Sequence, residues 1–130
     1  RVYQAADAEL SRGGEPLEAA RRFVAMLQQE REAYLLLIDF WNQAVRDPTA
    51  AAKFAERHAR LRTLIGRIVE GIARDQGFVL TLPRAHVATA LIALANGFTI
   101  ERLADPDAAP DELFAHAIAA ILRGFSDRPA

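Results

Sequence analysis

The sequence predicts an all-α fold, and three observations carry that prediction. Apolar residues recur every three to four positions in several long segments, which is the period of a helix with one buried face. Proline and glycine stand between these segments, where helices start and stop. The one β-leaning stretch, residues 78–82, has no partner strand, so we interpret it as a connector packed on the core.

Six helices are expected along the chain. Their predicted ranges are residues 1–10, 16–29, 33–46, 48–76, 84–104 and 110–125. Asp47 is the expected N-cap of the long fourth helix, Pro48 its first residue and Gly77 its stop. On that helix Glu56–Arg60 and Glu70–Arg74 are spaced for exposed ion pairs. The tail from residue 126 to residue 130 is expected to fray.

The helix at residues 84–104, RAHVATALIALANGFTIERLA, is charged only near its ends. A helix on the surface of a domain normally has a charged back, and this one has none. Two interpretations remain open. It is the central helix of an ordinary bundle, or its second face is covered by a ligand or by another subunit.

Composition bounds the class of protein. The chain has 130 residues, 52% of them hydrophobic and 25% charged, which suits one globular domain. No apolar run is expected to be long enough for a membrane span, and a cytoplasmic location is predicted. Without cysteine there is no disulfide or thiolate chemistry. A net charge of −1 argues against DNA binding by this segment alone.

Catalytic and metal motifs are weak. The two serines, Ser11 and Ser126, lie near the termini, and no glycine-rich phosphate loop follows a strand. Glu112 and His116 are spaced to share a metal, but a bundle site needs ligands from further helices. Glu112 is more simply a favourable charge in the first turn of its helix. We therefore expect no enzyme, no metal and no cofactor.

A few polar and aromatic residues on apolar stripes have two interpretations each. His58 is a core histidine bonded to a carbonyl, or it offers a hydrogen bond to a ligand. Trp41 and Tyr34 are core aromatics or pocket residues. Thr89 can be satisfied by the carbonyl four residues earlier, whereas the amide of Asn96 has four hydrogen-bonding positions to fill.

Four segments appear in a fixed order between residues 16 and 125. They are FWNQAVRDP, a long amphipathic helix ending in ARDQG, ALIALANGFTIERLADP, and PDELFAHAIAAIL. Their order and spacing resemble the C-terminal regulatory domain of TetR/AcrR-type transcriptional repressors, above all in Gly97 before an apolar residue, followed by a leucine and Asp-Pro. The family often has an aspartate cap before this proline, and this sequence has Thr81-Leu82-Pro83 instead. The residue at which the next helix starts is therefore not determined by the resemblance.

The resemblance implies a six-helix orthogonal bundle whose last two helices form an intersubunit four-helix bundle. It implies a homodimer, a small and mostly apolar effector, and DNA binding only through an N-terminal helix-turn-helix that is not in this sequence. Residues 1–12 resemble the end of the helix that joins the two parts, so residues 1–130 are expected to be one regulatory domain.

The resemblance also assigns site residues. Those implied to line or border the ligand pocket are Phe23, Leu27, Leu37, Trp41, His58, Ile65, Thr89, Ile92 and Asn96. Those implied to form or support the dimer interface are Leu91, Ala95, Phe98, Arg102, Phe114, Ile118, Ile121 and Phe125. The alternative functions are a helical dimerisation module without a natural ligand and, less favoured, an enzyme on a helical scaffold.

Overall fold

A computed structural model describes Arg21 and residues 31–127, with only the backbone given for residues 31–34 and 37. Its elements are α1 (Arg31–Ala44), α2 (Pro48–Asp75), β1 (Val79–Leu80), α3 (Arg84–Ala104), α4 (Asp111–Gly124) and β2 (Ser126–Asp127). The all-α class and the last four predicted helices are confirmed. The predicted helices at 1–10 and 16–29 lie outside the described residues, apart from Arg21.

Local chemistry explains where α2 begins and ends. The carboxylate of Asp47 accepts a hydrogen bond from the backbone N–H of Thr49 at 3.0 Å, and Pro48 occupies the first turn. At the other end Gly77 has a φ of 73°, a conformation that costs glycine little. Both boundary signals read from the sequence are therefore confirmed.

The core lies where α2, α3 and α4 meet. Val87 and Ala88 of α3 are fully buried, and Phe114 of α4 is 3% exposed. The other members of the buried cluster are Ile65, Ile68, Val69, Ala115, Ile118 and Leu122. The buried residues of α2 and α4 include pairs spaced three or four apart, and on α3 the partly buried Leu91, Leu94 and Phe98 continue that spacing from Val87. These three helices form the core of the described part of the chain.

A short β-sheet corrects two expectations at once. β1 pairs antiparallel with β2, with Leu80 opposite Ser126 and Val79 opposite Asp127. The backbone N–H of Thr81 extends the pairing by donating to the carbonyl of Phe125 at 2.8 Å. The connector thus has a partner strand, supplied by part of the tail that was expected to fray. The return of α4 brings that backbone alongside, so each segment satisfies the other's hydrogen bonds.

The crossing of α2 and α3 is close and carries an ion pair. A Cβ placed on Gly66 would lie 3.4 Å from Cγ of Arg84 and 3.5 Å from its carbonyl oxygen. Nη1 of Arg84 binds Oε2 of Glu70 at 2.5 Å. Glu70 therefore pairs across the helix crossing and not with Arg74 along its own helix. The other expected pair, Glu56–Arg60, is present at 3.5 Å.

Helix α3 begins at Arg84 after Pro83, without a side-chain cap. By length and composition alone it is apolar enough to cross a membrane, which corrects the expectation that no run would qualify. Its charged residues stand near its ends and do not interrupt the apolar stretch. A core helix of a globular domain meets the same criterion, and α3 packs against both α2 and α4.

Candidate functional site

An aromatic column joins α1 to α2. The rings of Phe40 and Phe54 stack with centroids 5.9 Å apart, and Phe54 stacks on His58 at 4.3 Å. The guanidinium of Arg57 lies 5.6 Å from the Phe40 centroid, within the range of a cation–π contact. Phe40 and Phe54 were absent from the expected pocket, although Phe54 stands one helical turn before His58 on the same stripe.

Burial of the ring, and secondarily the positive charge of Arg62, lowers the pKa of His58 from its ordinary value of 6.5. The half-buried imidazole therefore favours its neutral form. A neutral imidazole both donates and accepts hydrogen bonds, so it can serve either of the two roles expected of His58.

This shift makes stability depend on pH. The unfolded chain takes up the His58 proton below about pH 6.5, while the folded chain resists it, so the free energy of unfolding should fall between about pH 7.5 and about pH 5.5. Urea unfolding of the wild type and His58→Gln at both values measures this. The loss should be smaller in His58→Gln than in the wild type. An equal pH dependence in the wild type and His58→Gln would contradict the assignment.

The remaining residues of the expected pocket are dispersed. Ile65 lies in the core, and Ile92 packs against it half-buried. Trp41 is 54% exposed. Thr89 is exposed and donates its hydroxyl to the carbonyl of Ala85 at 3.0 Å, the local solution anticipated for it. Phe23, Leu27 and the side chain of Leu37 lie outside the described part of the chain.

The amide of Asn96 still has hydrogen-bonding positions to fill, as the sequence predicts. Its side chain is half-buried on α3, and within the described residues it makes no hydrogen bond. A half-buried amide without partners is costly unless water or a ligand satisfies it. The Asn96 amide can therefore bind water or a polar group of a ligand.

The residues expected at the dimer interface mostly pack within their own chain. Phe114 and Ile118 are buried, and Leu91, Ala95, Phe98 and Phe125 pack partly buried against the same cluster. Ile121 is half-buried. These side chains can support a dimer surface from beneath. The interface itself stays a prediction, because a single chain is described.

One exposed strip of α3 and one of α4 carry no charged side chain. The exposed residues of α3 at helical spacing, which we call the α3 stripe, are His86, Thr89, Ala93, Gly97, Ile100 and Ala104. The corresponding residues of α4, the α4 stripe, are Leu113, Ala117, Ala120 and Gly124, of which Ala117 is half-buried. Neither stripe carries a carboxylate, an ammonium or a guanidinium group. Ile100 is 56% and Leu113 49% exposed, so large apolar side chains lie among small ones.

Beside the α4 stripe, Glu112 is paired twice. Nη2 of Arg21 lies 2.5 Å from Oε1 of Glu112, and Nε2 of His116 lies 3.2 Å from the same oxygen. The hydrogen bond from Arg21 is the main cause that lowers the pKa of Glu112. In the region that the structure describes, no group of three metal-ligating side chains forms. The cluster is one ion pair between separate segments, Arg21–Glu112, with a second contact from His116 on the same helix as Glu112.

Two concave surfaces lined by described residues do not resemble a ligand pocket. An open groove of about 390 Å³ follows the exposed face of α2 and contains Glu56, Arg60 and Arg67. A cavity of about 10 Å³ between α2, α4 and the sheet has room for about one water molecule. Effector pockets are usually enclosed and mostly apolar.

The described residues form a helical domain with one core shared by α2, α3 and α4. Residues 15–126 match the BetI-type transcriptional repressor C-terminal family, and the chain belongs to that family. It is therefore the C-terminal domain of a TetR-type transcriptional regulator, a class of regulators and not of enzymes.

The fold is also similar to a solved structure, that of a transcriptional regulator from Rhodococcus sp. Rha1. The TM-score is 0.65 at 23% sequence identity, over 97% of this chain and 82% of that chain. At that identity the likeness shows the fold alone. No curated protein sequence matches the chain.

Proposed function

We propose that the chain is the effector-sensing and homodimerisation domain of a TetR/AcrR-like repressor that releases DNA when a small, mostly apolar molecule binds. DNA is bound by an N-terminal domain of the same polypeptide, joined to this one through residues 1–12. The partner subunit is a second copy of the chain, and the protein acts in the cytoplasm.

Gly97 carries the dimerisation half of the proposal. It lies in the middle of α3, where glycine costs roughly 0.5–1 kcal/mol relative to alanine. No described atom comes within 4 Å of a Cβ placed there, so packing among the described residues does not require a glycine. Gly66 is different, because Arg84 lies against it. A second helix backbone that approaches Gly97 closely from outside would explain the residue.

The surroundings of Gly97 suit a symmetric helix contact. The α3 and α4 stripes present small residues, which allow close approach, together with Ile100 and Leu113, which gain most from burial. A two-fold axis would place the same stripes of two chains against each other. Phe98 and Phe114 stack beneath this surface with centroids 4.7 Å apart and hold α3 and α4 together.

The effector half of the proposal is supported by the aromatic column and by Asn96. Phe40 and Phe54 offer apolar ring surface next to the neutral imidazole of His58, and Asn96 offers a separate amide on α3. Apolar surface with a few polar groups is the usual composition of a small-molecule site. The positive charge of Arg62 acts on His58 and disfavours a cationic ligand nearby. A neutral, mostly apolar effector is therefore preferred.

The alternative is a helical dimerisation module without a natural small ligand. The 54% exposure of Trp41 favours this alternative, because a pocket tryptophan is usually covered. The same exposure makes the residue a sensitive reporter, since binding beside it would bury the indole.

One experiment separates the two functions. Sedimentation equilibrium of the chain at tens of micromolar should give about twice 14.3 kDa, and a panel of neutral apolar compounds should include some that raise the melting temperature and change Trp41 fluorescence. His58→Ala and Asn96→Ala should abolish the ligand effect while the dimer persists. A monomer would contradict the dimerisation half. A dimer that responds to no compound would support the alternative function, a dimerisation module without a natural small ligand.

A further inference from the structure

The connection between α3 and α4 is short and internally bonded. It runs from residue 105 to residue 110, and Oδ1 of Asp105 accepts the backbone N–H of Asp107 at 3.0 Å. The side chain of Ala109 is 3% exposed, which is unusual for a residue in a surface turn. The turn is therefore packed against the domain, and its conformation sets the direction in which α4 leaves α3.

Arg102 contacts this turn, the first residue of α4 and the first aromatic ring of α4. Its Nε donates to the carbonyl oxygen of Ala109 at 3.0 Å, and its Nη2 donates to Oδ1 of Asp111. Its guanidinium carbon lies 5.8 Å from the centroid of the Phe114 ring. The Arg102 side chain is 25% exposed and its bond to the Ala109 carbonyl is partly buried, whereas Asp111 is 51% exposed and that ion pair is open to water.

A simpler role for Arg102 would be a positive charge in the last turn of α3, where any cation is favourable. The three contacts of the Arg102 side chain require more than a positive charge. A planar guanidinium can bind a carbonyl and a carboxylate in its own plane while one face lies on an aromatic ring, and a lysine cannot do all three. The position of Arg102 on the inward side of α3 also separates it from the exposed α3 stripe.

We propose that Arg102 is the positioning residue that fixes α4 relative to α3 and so aligns the α3 and α4 stripes into one dimer surface. The inference rests on the proposed homodimer. The Arg102 side chain acts through Ala109, Asp111 and Phe114 and does not itself touch the partner. Helix α3 packs more extensively on α2 than on α4, so the orientation of α4 depends strongly on these contacts.

The test measures the dimer dissociation constant and the melting temperature of Arg102→Gln and Arg102→Lys. Arg84→Gln is the matched control, because it breaks the Arg84–Glu70 ion pair between α3 and α2 and leaves the turn intact. Arg102→Gln should raise the dissociation constant about tenfold or more. Arg84→Gln should leave it within about threefold of the wild type, even where it lowers the melting temperature comparably.

Arg102→Lys keeps a charge near Asp111 but loses the paired geometry, so its dissociation constant should lie between those of the wild type and Arg102→Gln. If Arg102→Gln does not fold, the dissociation constant of Arg102→Lys tests the proposal. The proposal is overturned if Arg102→Gln and Arg102→Lys dimerise like the wild type, or if Arg84→Gln weakens the dimer equally. A monomeric wild type would instead refute the homodimer, and this inference would fall with it.

Discussion

Phe114→Ala is expected to lower the free energy of unfolding by about 3–5 kcal/mol, the usual cost of truncating a buried phenylalanine. Phe114 is 3% exposed, stacks on Phe98 and lies under the guanidinium of Arg102. The substitution therefore leaves a cavity and removes two specific contacts. Because domains are stable by only about 5–15 kcal/mol, this single change should bring the chain close to unfolding at room temperature.

Urea unfolding at one fixed protein concentration measures this loss, since the stability of a dimer depends on concentration. Leu36→Ala is the control, because Leu36 is 68% exposed and its truncation should change the free energy by no more than about 0.5 kcal/mol. A loss below about 1 kcal/mol for Phe114→Ala would mean that Phe114 is not part of the core.

Ala93→Glu is expected to raise the dimer dissociation constant by roughly a hundredfold or more. Ala93 stands in the middle of the α3 stripe, one turn before Gly97, and both are exposed in the single chain. A carboxylate there is harmless to the monomer but would be buried without a partner in the dimer, at a cost of about 3–5 kcal/mol. Sedimentation equilibrium should show monomers. Thermal unfolding of this variant should give a melting transition like that of other folded variants.

Ala55→Glu, the same substitution at an exposed position of α2, is the matched control and should dimerise like the wild type. Gly97→Ala is a second test of the same surface, in which the stability of the chain and of the dimer should change in opposite directions. It removes a glycine from a helix interior and should stabilise the isolated chain by about 0.5–1 kcal/mol, while weakening the dimer if a partner backbone lies against it. Unchanged dimerisation in both Ala93→Glu and Gly97→Ala would place the interface elsewhere.

The sequence by itself determined the features that depend on neighbouring residues. The period of apolar residues predicted α1 to α4. Asp47, Pro48 and Gly77 marked the ends of α2, because capping and the φ preferences of proline and glycine act within one turn of the chain. The family, too, could be predicted from the order of short segments. The uncharged second face of α3 follows from the sequence alone, since it requires only the spacing of residues on a helix.

Only the tertiary structure decided which residues occupy each side of that helix. A helical wheel gives the relative angles of side chains but not the direction of the neighbouring helices, and those directions place Leu91, Ala95 and Phe98 against the core. The strand pair formed by residues 79–80 and 126–127 and the Arg84–Glu70 ion pair likewise join segments far apart in sequence. Such contacts depend on how the helices pack, and no local pattern encodes them.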